Sequence, residues 1–490
     1  MSAFSECLQN LKNVRGLRYA DIAKMCDMDV TVVFRWMNGE RLPESVEKLE
    51  TIEHRLRLTQ QEKNELEDAY MISVYGEEKF RNFKNVSKVI NGLGKLRKYD
   101  DIQSKQTDYE NHKNNESENT IKEFTQLHGK EEIIREIGDA LAILKRDNNK
   151  NIYLVTRVMS GEIETILSLY NQKVAGCTVE QIIYPQKNGV AQKHDINVEV
   201  LEKIINVAFQ SDDMKVWIGS ERDDADGMNQ IISQSFLIQY NNDISEGMMT
   251  THKEWIDMAM HTFGYLKGKS KMVGKKEIDG LQYAESDYRD NSVITTIEYQ
   301  PCLGACLDEE ILDGHFHKDL PNRELVIERL LKSYVFGTED GNVECILNDL
   351  NVFFSKEGLR AFMETGIFEV FPYPFYTPVT MEERCKIVRR CVDLSKEGKN
   401  KHYLIKDIGL SKLKNIHIEY IRDDKRAVVW IDVNQKVGKE RMAIKNESIL
   451  QEFDDFFECI QNERYIYSKE ETEQYMLSVV EEYEKSYINN

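Results

Sequence analysis

The chain has 490 residues, of which 41% are apolar and 9% aromatic, and its formal net charge is −20. That length is more than one hydrophobic core supports, and that composition excludes disorder of the whole chain, so two to four domains are expected. A charge this negative excludes indiscriminate binding to nucleic acid, and no run of about 18 apolar residues offers a membrane span.

The charge is unevenly placed. Residues 1–99 hold 17 Lys+Arg against 15 Asp+Glu, which leaves −22 for the remainder. Any contact with DNA therefore falls to one face of the N-terminal piece, with the rest of the chain repelling it. The opening "MSAFSECLQNLK" lacks the basic-then-apolar pattern of a signal peptide, and a cytoplasmic location is expected. Nine cysteines, scattered from Cys7 to Cys459 without short regular spacings, read as reduced thiols and not as a disulfide framework.

In chain order, Phe4, Cys7, Leu8, Leu11 and Val14 follow helical spacing until Gly16 interrupts. "RYADIAKMC" and "VTVVFRWMN" predict two further short helices, and "ESVEKLETIEHRL" places Val46, Leu49, Ile52 and Leu56 on one face. A fifth helix begins at Thr59, with Glu62 three residues on in a capping-box arrangement. The expected first domain, 1–99, is thus an all-α five-helix unit. Residues 100–128 have almost nothing to bury and read as a flexible polar linker spanning roughly 30 Å, which would let the two halves move independently.

Beyond it, "EEIIREIGDALAIL" reads as a helix and "NIYLVTRV" as a strand, followed by "VEQIIYP", "VEVLEKIINVAF", "MKVWIGS", "SFLIQY", "HKEWIDMAMHTFGYL" and "SVITTIEY". This alternation predicts an α/β domain over 129–345. An α/β or α+β domain over 346–490 adds the helix "MEERCKIVRRCVDL", the strand "HYLIKDIGL" and a hairpin in "IHIEYIRDDKRAVVWID". The chain shows no internal repeat at a fixed period, although the middle and last parts are open to being related folds.

The informative stretch is "ADIAKMCDMDVTVVFRWMNGERLP". Two helices that cross need a small residue at the crossing, an unusual backbone in the turn, an apolar plug after it and two apolar positions inside the second helix. Ala23, Asp27, Met28, and Val33 with Trp36 fill those roles in order, and Asp tolerates the left-handed region better than other non-glycine residues. Asp29 is placed to cap the second helix, which Gly39 ends.

This pattern resembles the Cro/lambda-repressor-like, or XRE, family of helix-turn-helix DNA-binding domains over residues 4–75. Asp27 departs from the glycine common at that place. The resemblance implies that the helix from Val30 to Met37 enters the major groove, with Val30, Thr31, Phe34 and Arg35 facing bases. It also implies that Arg18, Tyr19, Asn38 and Arg41 contact phosphates, and that the protein acts as a homodimer on double-stranded DNA. Phe34 and Val30 serve equally well in packing between subunits, and Arg18 and Arg41 have carboxylates such as Asp21 and Glu40 within reach. The segment "VFFSKEGLRAFMETGIFEVFPYPFYTPVTMEERCKIVRRC" is similar to C-terminal parts of large XRE-type regulators from clostridia-like bacteria, with no activity attached. Its Phe371, Tyr373, Phe375 and Tyr376 read as a ligand cleft or as packing.

Other motifs fall short. "GYLKGKS" has three residues between its glycines where a phosphate-binding loop needs four, and "RDDADG" offers Arg222 and Ser233 where a calcium loop needs ligands. Cys302, Cys306, His315 and His317 have loose spacing for zinc. "HKD" at 317–319 lacks the separated His-x-Lys and Asp of phospholipase D-like enzymes. No cofactor is called for. Three readings follow: a DNA-binding transcriptional regulator whose C-terminal part senses a small-molecule or protein effector or mediates assembly, an enzyme or defence-type effector, and a protein-binding adaptor.

Overall fold

The computed structural model describes residues 2–93, 123–144, 151–156, 178–184, 214–219, 227–278, 293–334, 336–337, 343–344, 350–368, 375–398, 400–406, 410, 413, 416–422, 427–433, 439–444 and 447–488. Residues 100–122, the helix expected over "VEVLEKIINVAF" and nearly all of "RDDADG" lie outside them. The chain is multidomain, with an N-terminal helical region and an α/β portion.

The helical region contains α1 (Ala3–Val14), α2 (Tyr19–Cys26), α3 (Val30–Met37), α4 (Val46–Arg55), α5 (Gln60–Tyr75) and α6 (Glu77–Leu93). Local chemistry sets their ends. Thr59 and Glu62 exchange hydrogen bonds at the start of α5, the Glu62 carboxylate accepting from the Thr59 N–H at 2.7 Å. Between α2 and α3 the backbone turns left-handed at Asp27 (φ 55°, ψ 49°), and the Met28 N–H closes back onto the Ala23 carbonyl at 2.9 Å. Asp29 then caps α3, its Oδ1 accepting from the Thr31 N–H at 2.7 Å. Phe4, Leu8, Ile22, Ala23, Val33 and Trp36 are buried together beneath these turns.

Helix α6 goes beyond the five helices expected, and it ties the region to the far end of the chain. Phe80, Phe83, Val86, Val89 and Ile90 are buried on it. Each large apolar side chain removed from water contributes about 1.5–3 kcal/mol. Phe83 stacks on Phe456 (5.5 Å between ring centroids) and lies 4.6 Å from the Tyr465 ring. Asn82 donates to the Asp455 carboxylate at 2.7 Å, and the Val46 N–H to Glu463 at 2.7 Å. Arg464 pairs with Glu67 and with Glu50. Independent movement of the two halves, suggested by the polar stretch, is at odds with this docked arrangement.

The α/β portion contains a 14-stranded sheet and a two-stranded one. The first half of the large sheet uses β1 (Phe124–His128), β2 (Ile152–Thr156), β3 (Val179–Ile183), β4 (Met214–Ile218), β5 (Asn229–Ile232), β6 (Leu237–Tyr240) and β7 (Glu246–Thr250), with α7 (Lys130–Leu144) after β1 and α8 (Lys253–Lys269) after β7. Strand β1 occupies residues that the sequence reading gave to the linker. The second half uses β8 (Lys271–Ile278) and β9 (Val293–Glu298), then, past α9 (Glu309–His315), α10 (Arg323–Tyr334) and the β10–β11 pair (Phe336–Gly337, Val343–Glu344), β12 (Leu350–Phe354). Helices α11 (Lys356–Thr365) and α12 (Met381–Lys396) lead to β13 (Asn400–Leu404), β14 (Ile416–Arg422), β15 (Ala427–Val433) and β16 (Lys439–Ile444). Helices α13 (Glu447–Ile460) and α14 (Lys469–Ile488) complete the described chain.

The two halves share one connectivity. In the first, β2, β3 and β4 are parallel neighbours, β5 returns antiparallel on the other side of β2, β6 and β7 follow, and β1 closes against β7. In the second, β9, β12 and β13 are the parallel neighbours, β14, β15 and β16 the antiparallel ones, and β8 closes against β16. Antiparallel pairing of β4 with β8 joins the repeats. Val155 and Ile297 hold matching places, yet the register across that junction puts them on opposite faces, so α8 and α13 cover opposite sides of the sheet. The repeat boundary falls near residue 270, whereas the sequence reading cut at 345, between β9 and its hydrogen-bonded neighbour β12.

Two outcomes test these assignments. Asp27→Val forces a β-branched side chain into the left-handed region and is expected to lower unfolding stability by about 1–2 kcal/mol, whereas Asp27→Gly is not; equal denaturant midpoints for the two variants contradict the turn. Burial, and then Glu67 nearby, push the Glu53 carboxyl up to about 7 against the pull of Arg464. A carboxyl that holds its proton more tightly when folded adds stability fully below the ordinary Glu value and loses it as the pH rises through about 7. Glu53→Gln is therefore expected to flatten the fall in stability between pH 5 and 8 and to raise stability at the upper end; an unchanged slope in urea titrations contradicts it.

Candidate nucleic-acid interface

Helix α3 presents two unlike faces. Val33 and Trp36 are buried, while Val30 and Phe34 are 48% and 45% exposed, with Thr31 and Arg35 open to solvent beside them. The docking contacts of the helical region come from α4, α5 and α6, so this outer edge is clear of the α/β portion among the described residues. Phe34 meets the Tyr19 ring edge-on at 5.6 Å, and the Lys12 ammonium lies 4.8 Å from that ring. Half-buried Tyr19 thus supports Phe34 from below. Sequence reading passed over Lys12, which is visible only once α1 is folded beside α2.

The basic residues differ in availability. Arg18 is exposed but held by Asp21, Nε to Oδ2 at 3.1 Å, an arrangement that also keeps Asp21 below the usual carboxylate range. Arg41 pairs with Glu44, not with the Glu40 that the sequence offered. Arg35 has no carboxylate partner among the described residues. Asn38 is exposed at the end of α3, where its N–H bonds the Phe34 carbonyl. Both helix starts are already occupied by anions, Asp21 on the Arg18 N–H and Asp29 on the Thr31 N–H. A phosphate would have to be met by side chains, since those N–H groups are spoken for.

A second concentration of chemistry lies inside the second repeat. Glu298, at the end of β9, stands across the ladder from His417 of β14, and Thr296 stands across from Glu419. Both glutamates are 3% exposed, and the Thr296 hydroxyl donates to the Glu298 carboxylate at 2.9 Å. The matching places in the first repeat hold Thr156 and Asn229, buried and neutral, with the Gln181 amide donating to the Thr156 hydroxyl at 2.9 Å. Close by, the Cys391 thiol lies 3.4 Å from His402 Nε2. Burial pushes His402 down to about 4, and the neighbouring Cys306 thiol, with burial, holds Cys391 well above the ordinary thiol range. Such thiols are poor nucleophiles and poor metal ligands. No short motif announces this cluster, because its members come from strands more than 100 residues apart.

Of the four side chains weighed for zinc, Cys302 and Cys306 are core residues, and His315 bonds Glu383 (2.9 Å) and Thr377 (3.2 Å). Among the described residues no three His, Cys, Asp or Glu form a group able to hold a metal. "GYLKGKS" continues α8 into β8. Of the four aromatics read as a cleft or packing, Phe371 and Tyr373 lie outside the described residues, and Tyr376 is buried with its hydroxyl donating to the Phe368 carbonyl at 2.9 Å. A cleft does open between α12 and α14, about 720 Å³ and lined by Met381, Cys385, Lys386, Arg389 and Tyr487. Its Lys386 and Arg389 are paired with Asp308 and Glu484 at 3.0 and 2.6 Å.

No family model matches the chain, and no curated protein matches it. Among solved structures it is similar to Nuc, a phospholipase D family member from Salmonella typhimurium, at 9% identity over 30% of this chain and 96% of that one, with a TM-score of 0.23. It is similar to polyphosphate kinase from Porphyromonas gingivalis at 10% identity over 68% of this chain and 50% of that one, TM-score 0.22. A third, TrmBL2, an archaeal chromatin protein, is 13% identical over 54% of this chain and 98% of that one, TM-score 0.22. Likenesses this slight carry no argument about what the chain does.

Proposed function

We propose that this protein is a sequence-specific DNA-binding transcriptional regulator of the XRE type, in which α2 and α3 act as a helix-turn-helix. The observation that carries the reading is the exposed edge of α3: two large apolar side chains, a hydroxyl and an unpaired arginine stand on a short helix whose inner face is locked in the core. In a major groove Val30 and Thr31 suit thymine methyls, and Arg35 suits a guanine edge. Tyr19, Asn38 and, once released from Asp21 and Glu44, Arg18 and Arg41 suit phosphate oxygens. The strongly acidic α/β portion restricts DNA to this edge. An effector acting on that portion would change DNA affinity only by distinguishing two states.

Few phosphate contacts imply a moderate dependence on salt. Two heads with two phosphate-binding arginines each give a slope of log K against log salt of roughly −3 to −4. In mobility-shift titrations of the full-length protein, Arg35→Ala is expected to weaken the preferred sequence by roughly 5- to 150-fold for each head engaged, with little change in that slope. Arg41→Ala should instead reduce the slope on every sequence. A flat salt response, or a preference that survives Arg35→Ala, contradicts the reading.

A second reading, an enzyme, is favoured by the buried Glu298 and Glu419 beside half-buried His417, since ionisable groups are costly to bury and concentrate where chemistry is done. It predicts turnover on a panel of carboxylic and phosphoric esters that Glu298→Gln abolishes without lowering the melting temperature. Absence of turnover in the unsubstituted protein counts against it.

A further inference from the structure

Because the repeats share a connectivity, α8 and α13 are equivalent helices, each following the seventh and last strand that its repeat gives to the large sheet. Helix α13 is covered on two sides. Phe457 packs toward Phe353 and Tyr420 of the sheet, and Phe456 stacks on Phe83 of α6. Among the described residues, helix α8 has the sheet side alone: Ile256, Ala259, Phe263 and Leu266 are buried on Val155, Ile182 and Ile232. On its outer side Trp255, Met258 and Tyr265 are 51%, 57% and 61% exposed, and Met272, just past its end, is 56% exposed.

Trp255, Met258, Thr262 and Tyr265 are spaced three, four and three residues apart, the seam a helix offers to another helix. The charges along α8 are polarised in balance, two acids (Glu254 and Asp257) outnumbering Lys253 near its start and Lys267 and Lys269 standing at its end. Two copies laid antiparallel bring opposite charges together, whereas a parallel pair brings like charges together. The antiparallel arrangement also sets Trp255 of each copy against Tyr265 of the other. Lys267 is partly committed to Glu180 (2.6 Å) and the Trp217 ring, so Lys269, over the Tyr265 ring at 4.3 Å, is the cation at the rim.

We propose that this face of α8 is a self-docking surface, on which a second copy of this chain lays its own α8 antiparallel about a two-fold axis near Met258 and Thr262. The partner helix takes on α8 the place that α6 takes on α13. Four half-exposed large side chains offer on the order of 400–500 Å² a side, below the size of stable interfaces and within that of weak, transient ones, so the dimer is reversible. The inference rests on residues of the α/β portion and does not require the DNA reading, although a two-fold pair would also set two α3 edges in a fixed relation.

Sedimentation equilibrium of the full-length protein without DNA, at up to about 100 µM, tests it. A monomer–dimer equilibrium is expected, weakened at least tenfold by Met258→Glu with Tyr265→Glu and, separately, by Trp255→Glu, with unchanged melting because these side chains are exposed. Lys269→Glu alone should weaken the dimer, and Lys269→Glu with Glu254→Lys should restore it. A protein that stays monomeric throughout overturns the proposal. A dimer indifferent to both apolar variants overturns it as well, whether or not the protein binds DNA.

Discussion

The packing of α6 on α13 is the constraint on which the rest depends. It joins residues more than 370 positions apart through the stacked rings of Phe83 and Phe456, the buried Asn82–Asp455 hydrogen bond and the reach of Arg464 to Glu67 and Glu50. Buried polar partners of this kind do little for net stability but fix one arrangement among several apolar ones, because a shifted register leaves a donor or a charge unpaired. The helical region is thereby held by α4, α5 and α6 with the outer edge of α3 turned away from the contact. A loosely tethered head would sample many orientations; this one presents its edge in a fixed relation to the large sheet.

The sheet is a tandem duplication in topology. Each repeat places three parallel strands at one end and an antiparallel meander at the other, and among the described residues helices α9 to α12 lie in the connections of the second repeat. The halves have diverged at matching strand ends. There the first holds Thr156 and Asn229 and the second Glu298 and His417. Neutral amides and hydroxyls satisfy one another at little cost, whereas a buried carboxylate is expensive unless it is paired and hydrogen-bonded, as Glu298 is by Thr296. The helices that close the two repeats have diverged as well, α13 being covered by the head and α8 standing open.

Much of the helical region was legible in sequence because its signals are local. The apolar spacing of α1 and α4, the Thr59–Glu62 capping box, and the Asp27–Met28–Asp29 turn act within a few residues of chain. The pairing of Arg18 and Arg41 was legible only in part: Asp21 was in view as a partner, but Glu44 is one helical turn from Arg41 only once the loop is folded. What was not legible is set by long-range contact. The amphipathic pattern of α6 gives no hint that its partner is α13. The repeat is invisible because strands specify a pleat and a burial pattern, which unlike side chains fill equally well. The cut at 345 rested on the alternation of apolar and helical runs along the chain, while β9 and β12 are neighbours only in space. The buried set around Glu298 was beyond reach for the same reason.

The role proposed for this protein depends on whether the open edge of α3 reads sequence. Sequencing the genomic DNA recovered with the full-length protein addresses that most directly. It should yield a short enriched site with two-fold symmetry, its half-sites spaced by whole turns of the double helix. Recovery of fragments in proportion to their abundance, with no shared site, would contradict it.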